Sequence, residues 1–454
     1  MTVWSELKAL VRLALPVSLA QLAIVGMSAT DVLVAGWAGT EELAGMNLGV
    51  NTWNMIALFF MGIGFATQPL VARRFGAGQS QGVKQQLHQS TWLGLLCGIG
   101  CLVAVLAAVF ALDLVAFDPT ILRIAKDYLL VMSLGAIPFA LLPALRGTLE
   151  GVSLTAPVMW VNAVAFLINI PLDIILVNGL YGAPKLGGVG CAWATVIVIY
   201  WMLLANFWML KVHPKLAEQC LLREWHRPDW AAIGKTWQLG FPIGISIVVE
   251  LSMFSGAGIM IAKFGAVETA AHAVAITVAS ASFMLYVGLG QGVTIRASQM
   301  LGAHQPDQAW YAVKVGTWFN VALACLFAGI YVVFAPQLVA LASSDQAVVQ
   351  LGVALLLFGA AFQLADCLQV AIICALRAYG DTVSPPQYQV MSFWVFGVPL
   401  GVGLAFWGWW PGLEGAKGMW FAMTASLYLV AILLFRRLLS MVKHYQHDYS
   451  AVSS

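Results

Sequence analysis

Along this chain, charged and turn-forming residues are confined to short breaks between long apolar runs. Twelve such runs predict helices near 10–36, 46–72, 89–112, 123–146, 157–180, 188–211, 236–262, 270–296, 311–335, 348–376, 388–408 and 416–436. A helix rises about 1.5 Å per residue, so roughly 20 apolar residues cross a ~30 Å hydrocarbon layer. The most charged interior break is HPKLAEQCLLREWHRPDW, His213 to Trp230. The pattern predicts an all-α polytopic membrane protein with twelve transmembrane helices.

The pattern also repeats. At an offset of 226, Pro16 meets Pro242, Gly39 meets Gly265, Glu42 meets Glu268, and Ala44 meets Ala270. In the same register Gly62 and Gly64 meet Gly288 and Gly290, and Gly76, Ala77 and Gln79 meet Gly302, Ala303 and Gln305. Further on, Leu186, Gly188 and Trp193 pair with Leu413, Gly415 and Trp420 at offset 227. Six spans repeated in one orientation predict two pseudo-symmetric six-helix lobes. The expected divisions are an N-lobe over 1–212, a cytoplasmic linker loop over 213–235, a C-lobe over 236–440 and a cytoplasmic tail over 441–454. Pro16 and Pro242, early in spans one and seven, are candidate bends, as are Pro138, Pro143 and Pro171.

Composition agrees with a chain that cannot cover a water-facing surface. Of 454 residues, 61% are hydrophobic and 9% charged, where soluble chains carry about a quarter charged. With both termini inside, only Arg123, Lys126, Lys185, Lys263 and Lys417 of the 22 Lys and Arg residues fall outside. Positive charge gathers on the cytoplasmic side of membrane proteins, so the termini and the 213–230 loop are expected there. No cleavable signal peptide is expected, and span one stays as an anchor. A net charge of +2 gives no case for nucleic acid.

Against this background, acids inside the spans stand out. Asp31, Asp173, Glu250 and Asp366 have no Lys or Arg within a turn or two on their own helices. A carboxylate in hydrocarbon costs roughly 2.5 kcal/mol or more by insertion scales. It must pair across helices, bind a cation, or be protonated; carboxyl oxygens with amide and hydroxyl neighbours suit Na⁺ or H⁺ equally. Asn169 and Asp173 lie four apart on one face of span five, with Asn162 two turns earlier. Asp31 and Thr195 are expected beside them, and in the second lobe Glu250 and Asp366 are expected to face a cavity. Gln363 and Gln369 flank Asp366 with amides. Na⁺ is thus expected at Glu250 and Asp366 or at Asp31 and Asp173. Met27, Met55, Phe59, Met253, Phe283 and Tyr286 line spans one, two, seven and eight. Polarizable walls of Met27, Met253, Phe283 and Tyr286, with Gln363, would suit flat lipophilic cations. The same residue types in membrane helices also serve lipid contact or core packing.

Enzymatic chemistry finds little footing. There is no HExxH, no GxxxxGK[ST] phosphate loop, and His444 and His447 sit in a polar tail. No cofactor is expected, so an ion gradient must drive any transport. Seven cysteines with no CxxC pair argue against a disulfide framework; Cys97 and Cys101 read as small packing residues.

Four stretches resemble the multidrug and toxic compound extrusion (MATE) transporters, in their NorM-like bacterial branch. They are LALPVSLAQLAIVGMSATDVLVAG, GTLEGVSLTAP, LINIPLDIILVNGLYGAPKLGGVGCAWAT and CALRAYGDT. The resemblance runs from about Leu13 to Arg437. It implies a two-lobed antiporter of the bacterial inner membrane, a monomer exporting cationic aromatic drugs and dyes in exchange for Na⁺ or H⁺. It assigns Glu250 and Asp366 to a C-lobe cation site, and carries a span-one acid over to Asp31. Asn169, Asp173 and Thr195 match an N-lobe cluster described in other branches. Two departures stand out: some relatives have Asn in place of Asp173, and some have Tyr where this chain has Phe362. A flippase for lipid-linked substrates is the alternative, although no intramembrane Arg cluster accompanies these acids. A membrane-embedded transferase would need loop motifs that are not evident.

Overall fold

In hydrocarbon every backbone N–H and C=O must be satisfied within its own segment, and an apolar run meets that demand by forming a helix. The computed structural model describes all residues except 1, 115–117, 218–220, 223–224, 344 and 454, and no side chain for 215, 217 and 448–453. Its first half contains α1 (Val3–Ala38), α2 (Thr40–Gly64), α3 (Thr67–Gly76), α4 (Ser80–Ala111), α5 (Pro119–Ser133), α6 (Ala136–Gly151), α7 (Thr155–Asn178), α8 (Gly188–Val212) and the single turn α9 (Pro214–Ala217). The second half contains α10 (Trp230–Ala262), α11 (Ala266–Gly302), α12 (Pro306–Ala340), α13 (Gln346–Tyr379), α14 (Ser384–Gln389), a π-helical stretch (Val390–Gly397), α15 (Val398–Ala405) and α16 (Ala416–Ser453). Among the described residues there is no strand.

Among the described residues, eleven stretches are each long and apolar enough to span a bilayer, with α2 and α3 counted as one. The pair α5 and α6, bent by 49°, makes the twelfth. That bend falls at Leu134 and Gly135, one turn before Pro138, which has no N–H to offer the Leu134 carbonyl. Pro16, Pro143, Pro171 and Pro242 lie inside continuous helices.

Two compact units form, Leu19–Ile245 and Met1–Ser18 with Ser246–Ser454. They differ from the expected lobes by an exchange: residues 1–18 join the second half, and 236–245 join the first. Close backbone packing explains the exchange. A Cβ on Gly288 would lie 2.5 Å from Ser18 Cα, and one on Gly292 2.7 Å from Ala14 Cβ, so α1 lies this near α11 only over glycine. Ser18 Oγ donates to the Leu285 carbonyl at 3.3 Å. Buried Glu6 accepts from Arg296 Nε at 2.8 Å and Nη2 at 3.1 Å. In the other unit, a Cβ on Gly240 would meet the Ile63 carbonyl at 2.1 Å and one on Gly244 the Phe59 carbonyl at 2.6 Å. At offset 226, Ala14 corresponds to Gly240, Ser18 to Gly244 and Leu285 to Phe59, so the exchange obeys the repeat.

Helix starts show the repeat atom by atom. Glu42 accepts from the Gly188 N–H at 2.6 Å, and Glu268 from the Ala416 N–H at 2.8 Å, each placing an anion at a helix N-terminus. Before each start stands a glycine at positive φ, Gly187 at 56° and Gly415 at 63°. The equivalence here is therefore 228, which corrects the expected pairing of Gly188 with Gly415 and Trp193 with Trp420. Accordingly Trp193 is 38% exposed, whereas Trp420 is fully buried.

The loop between the halves is strapped to α4. His88 is buried, its Nε2–H donating to the Leu221 carbonyl at 2.6 Å. That leaves Nδ1 as acceptor for the His226 ring at 2.8 Å and the His226 N–H at 3.2 Å. Trp225 stacks on the imidazole at 4.2 Å, and Gln89 bonds both the Arg227 carbonyl and the Asp229 N–H. Cys220 and Arg223, part of the expected linker, lie outside the described residues. The expected tail is instead a continuation of α16, where Tyr445 donates to the Tyr379 carbonyl at 2.9 Å and Gln446 to Asp307 at 2.7 Å.

Candidate functional site: two intramembrane carboxylate clusters

Helical spacing brings the predicted residues of the first cluster together. In the Leu19–Ile245 unit, Asn169 and Asp173 stand one turn apart on α7, and Cys191 and Thr195 one turn apart on α8. Both pairs meet Asp31 of α1. Asn169 Nδ2 donates to Asp31 Oδ1 at 3.3 Å, and Thr195 Oγ1 to Asp31 Oδ2 at 3.5 Å. One donor atom each from Asp31, Asp173 and Cys191 lies within 4.8 Å of the others. Asp173 is 0% exposed, and neither of its carboxyl oxygens meets a protein donor. The Asn169 Oδ1 oxygen is also buried and unpartnered. Asn162, on the same face, turns its Nδ2 back to the Val158 carbonyl at 2.8 Å.

Two facing carboxylates in an apolar medium cannot both stay charged without compensation. Asn169 and Thr195 donate to Asp31, and a proton shared between the two carboxyls, or a metal cation, would satisfy Asp173. Carboxylate, amide and hydroxyl oxygens are ligands that hard cations prefer.

The second cluster belongs to the Met1–Ser18 with Ser246–Ser454 unit. Glu250, on α10, accepts from Gln369 Nε2 at 3.1 Å and from Gln389 Nε2 at 3.4 Å. Ser246, one turn before Glu250, donates to Gln389 Oε1 at 2.6 Å. Because the amide oxygen is engaged by the serine, the amide nitrogen is turned to the carboxylate. Gln389 stands immediately before the π-helical stretch, a local unwinding that recurs at functional positions. Asp366, one turn before Gln369 on α13, is 1% exposed with Oδ1 unpartnered. Gln363 Oε1, Gln369 Oε1 and Tyr286 Oη are likewise buried without partners. Phe362 packs edge-on to Phe254 at 5.9 Å and against Trp420 at 5.8 Å.

Of the residues expected along a substrate wall, Phe283 and Tyr286 share one apolar cluster. Met27 and Phe283 are half-buried, and Gln363 is fully buried with its Nε2 reaching the Ala279 carbonyl at 3.5 Å. Tyr286 is buried against Phe327, their rings 6.4 Å apart. Met253 borders a small pocket with Met260, Phe393, Met419 and Met423. Sequence reasoning named Gln369 but missed Gln389 and Cys191. Gln389 opens the apolar run VMSFWVFG, but with Gln387 two residues earlier nothing local singles it out. For Cys191 the signal is the four-residue step to Thr195.

Comparison with known proteins sets these clusters in context. The MatE family model matches residues 16–175 and 242–402, one match in each half. The chain is 34% identical over 442 residues to a probable multidrug resistance protein NorM of Shewanella oneidensis, covering 97% of this chain and 96% of that one. It is also 34% identical over 449 residues to the multidrug resistance protein PmpM of Pseudomonas aeruginosa, covering 98% and 94%. The crystal structure of a eukaryotic MATE transporter, AtDTX14, superposes with a TM-score of 0.86 at 17% identity, covering 98% of this chain and 99% of that one.

Proposed function

The chain belongs to the MatE family of transporters, and from that premise we propose that it is a multidrug efflux antiporter. It exports cationic lipophilic or aromatic compounds in exchange for Na⁺ or H⁺ by alternating access of two six-helix lobes. It acts as a monomer in the bacterial inner membrane, with both termini cytoplasmic. Asp31, Asn169, Asp173 and Thr195 form one cation or proton site, and Glu250 and Asp366 another.

The observation that carries this reading is Asp173: a fully buried carboxyl with two oxygens and no protein donor for either. A group held that way has a use for a passing cation. The Gln369 and Gln389 amides support Glu250 by hydrogen bonds, with the Arg377 charge acting on it through space, so this acid is held by different means. A potential of 100 mV contributes about 2.3 kcal/mol per charge moved, enough to drive roughly fifty-fold accumulation.

Ethidium efflux from proteoliposomes, with a Na⁺ or a pH gradient imposed separately, tests the proposal. One gradient should drive efflux, and Glu250→Gln or Asp366→Asn should abolish it while the protein remains in the membrane. Normal efflux in both variants counts decisively against it.

A further inference from the structure

We propose that the Asp31–Asp173 cluster also takes a thiophilic divalent cation, Zn²⁺ or Cd²⁺, with Cys191 Sγ as a ligand. The inference rests on reading that cluster as a cation site and adds a ligand class to it.

Three observations carry it. The Cys191 sulfur lies within 4.8 Å of donor atoms from both acids, while the thiol itself is 0% exposed. Its Sγ reaches the Asp31 carbonyl at 3.6 Å, so it faces α1 and the acid there rather than the interior of α8. Independently, Asp173 presents two buried oxygens without donors, and Asn169 Oδ1 is a third such oxygen one turn away.

The chemistry follows from the donor set. Na⁺ gains nothing from sulfur, so a site built only for it would use oxygens throughout. Two carboxylates and a thiolate are instead a recognised set for zinc-like ions, which favour four ligands of sulfur, nitrogen and oxygen. Binding exchanges protons for metal. The thiol proton, together with any proton held by the carboxyl pair, leaves to water as the ion takes the thiolate and carboxylate lone pairs. No electron is transferred. A divalent ion so seated occupies the same oxygens as the coupling cation and competes with it.

The test uses the full chain purified into nanodiscs and titrated with CdCl₂. Binding is read by the ultraviolet thiolate-to-cadmium charge-transfer band and by competition with Na⁺. A variant with the other six cysteines replaced should keep a band for one Cd²⁺ per chain. Cys191→Ala in the parent should lose at least ~10-fold in Cd²⁺ affinity, as removal of a metal's support does elsewhere. Asp173→Asn, which leaves the thiol in place, should weaken Cd²⁺ by a similar factor. Unchanged affinity in Cys191→Ala, or no band from the variant retaining only Cys191, overturns the inference. The two readings fail separately. Absent Cd²⁺ binding with cation-coupled efflux intact removes the metal site alone. Cd²⁺ binding that needs Asp31 and Asp173, in a protein whose efflux ignores both acids, removes the antiport role alone.

Discussion

Asp173 and Glu250 show two ways to keep a carboxyl in oil. Asp173 has no donor, whereas Glu250 is cradled by Gln369 and Gln389 with Ser246 fixing the second amide. The acids were legible in the sequence because any carboxylate within an apolar run demands a reason. Gln389 was not, because the contact joins residues 139 positions apart and nothing local marks it. Removing that amide should matter: Gln389→Ala is expected to weaken coupling-cation affinity by ~10-fold or more, read as a shift in the ion concentration for half-maximal efflux. An unshifted half-maximum would mean the amide merely fills space. Outside the spans, Asp381 offers a pH test. Burial pushes its carboxyl up, but Arg437 Nε at 2.6 Å and the Ser384 N–H and hydroxyl outweigh that and hold it below the ordinary value. Its folded-state pKa is depressed, so its contribution is present above the unfolded value of about 3.9 and lost as pH falls through the lower folded value. Thermal unfolding should show Asp381→Asn less stable than the parent at neutral pH, with the difference shrinking at acid pH.

At the level of helices, apolar length located the spans, while their breaks depended on backbone details. The bend between α5 and α6 falls a turn before Pro138 because that is where the missing hydrogen bond lies. The slip of one residue at Gly415 was hidden because Gly188 and Gly415 look alike in sequence, whereas positive φ belongs to Gly187 and Gly415. Close packing of α1 on α11 was also out of reach, since glycine spacing alone does not name a partner. Gly288→Leu should therefore destabilise the Met1–Ser18 with Ser246–Ser454 unit by about 1–3 kcal/mol, seen as a lower Tm in detergent. A wild-type Tm would show that Ser18 yields freely. The strap on α4 gives a second test. His88→Ala removes the acceptor for His226 and the donor to Leu221, so limited proteolysis should cut the 221–229 stretch faster than in the parent.

For the molecule as a whole, the repeat in sequence becomes a repeat in atoms. Glu42 with Gly188 mirrors Glu268 with Ala416, and Pro16 and Pro242 each lie close to the point where their helix passes from one unit to the other. The sequence indicated the halves, but the exchange of 1–18 and 236–245 could be seen only in three dimensions. Each half carries one acid cluster, and the side chains that donate hydrogen bonds to Asp31 and Glu250 (Asn169, Thr195, Gln369 and Gln389) are all neutral. The central claim is that a mobile cation provides the missing charge. The most direct measurement follows ion and drug together in proteoliposomes, with labelled Na⁺ or a pH-sensitive dye for the ion and ethidium fluorescence for the drug. The account predicts that ethidium leaves only as one of these cations enters, in a fixed ratio that falls in Asp173→Asn. Ethidium movement with no accompanying cation, or an unchanged ratio in that variant, would contradict it.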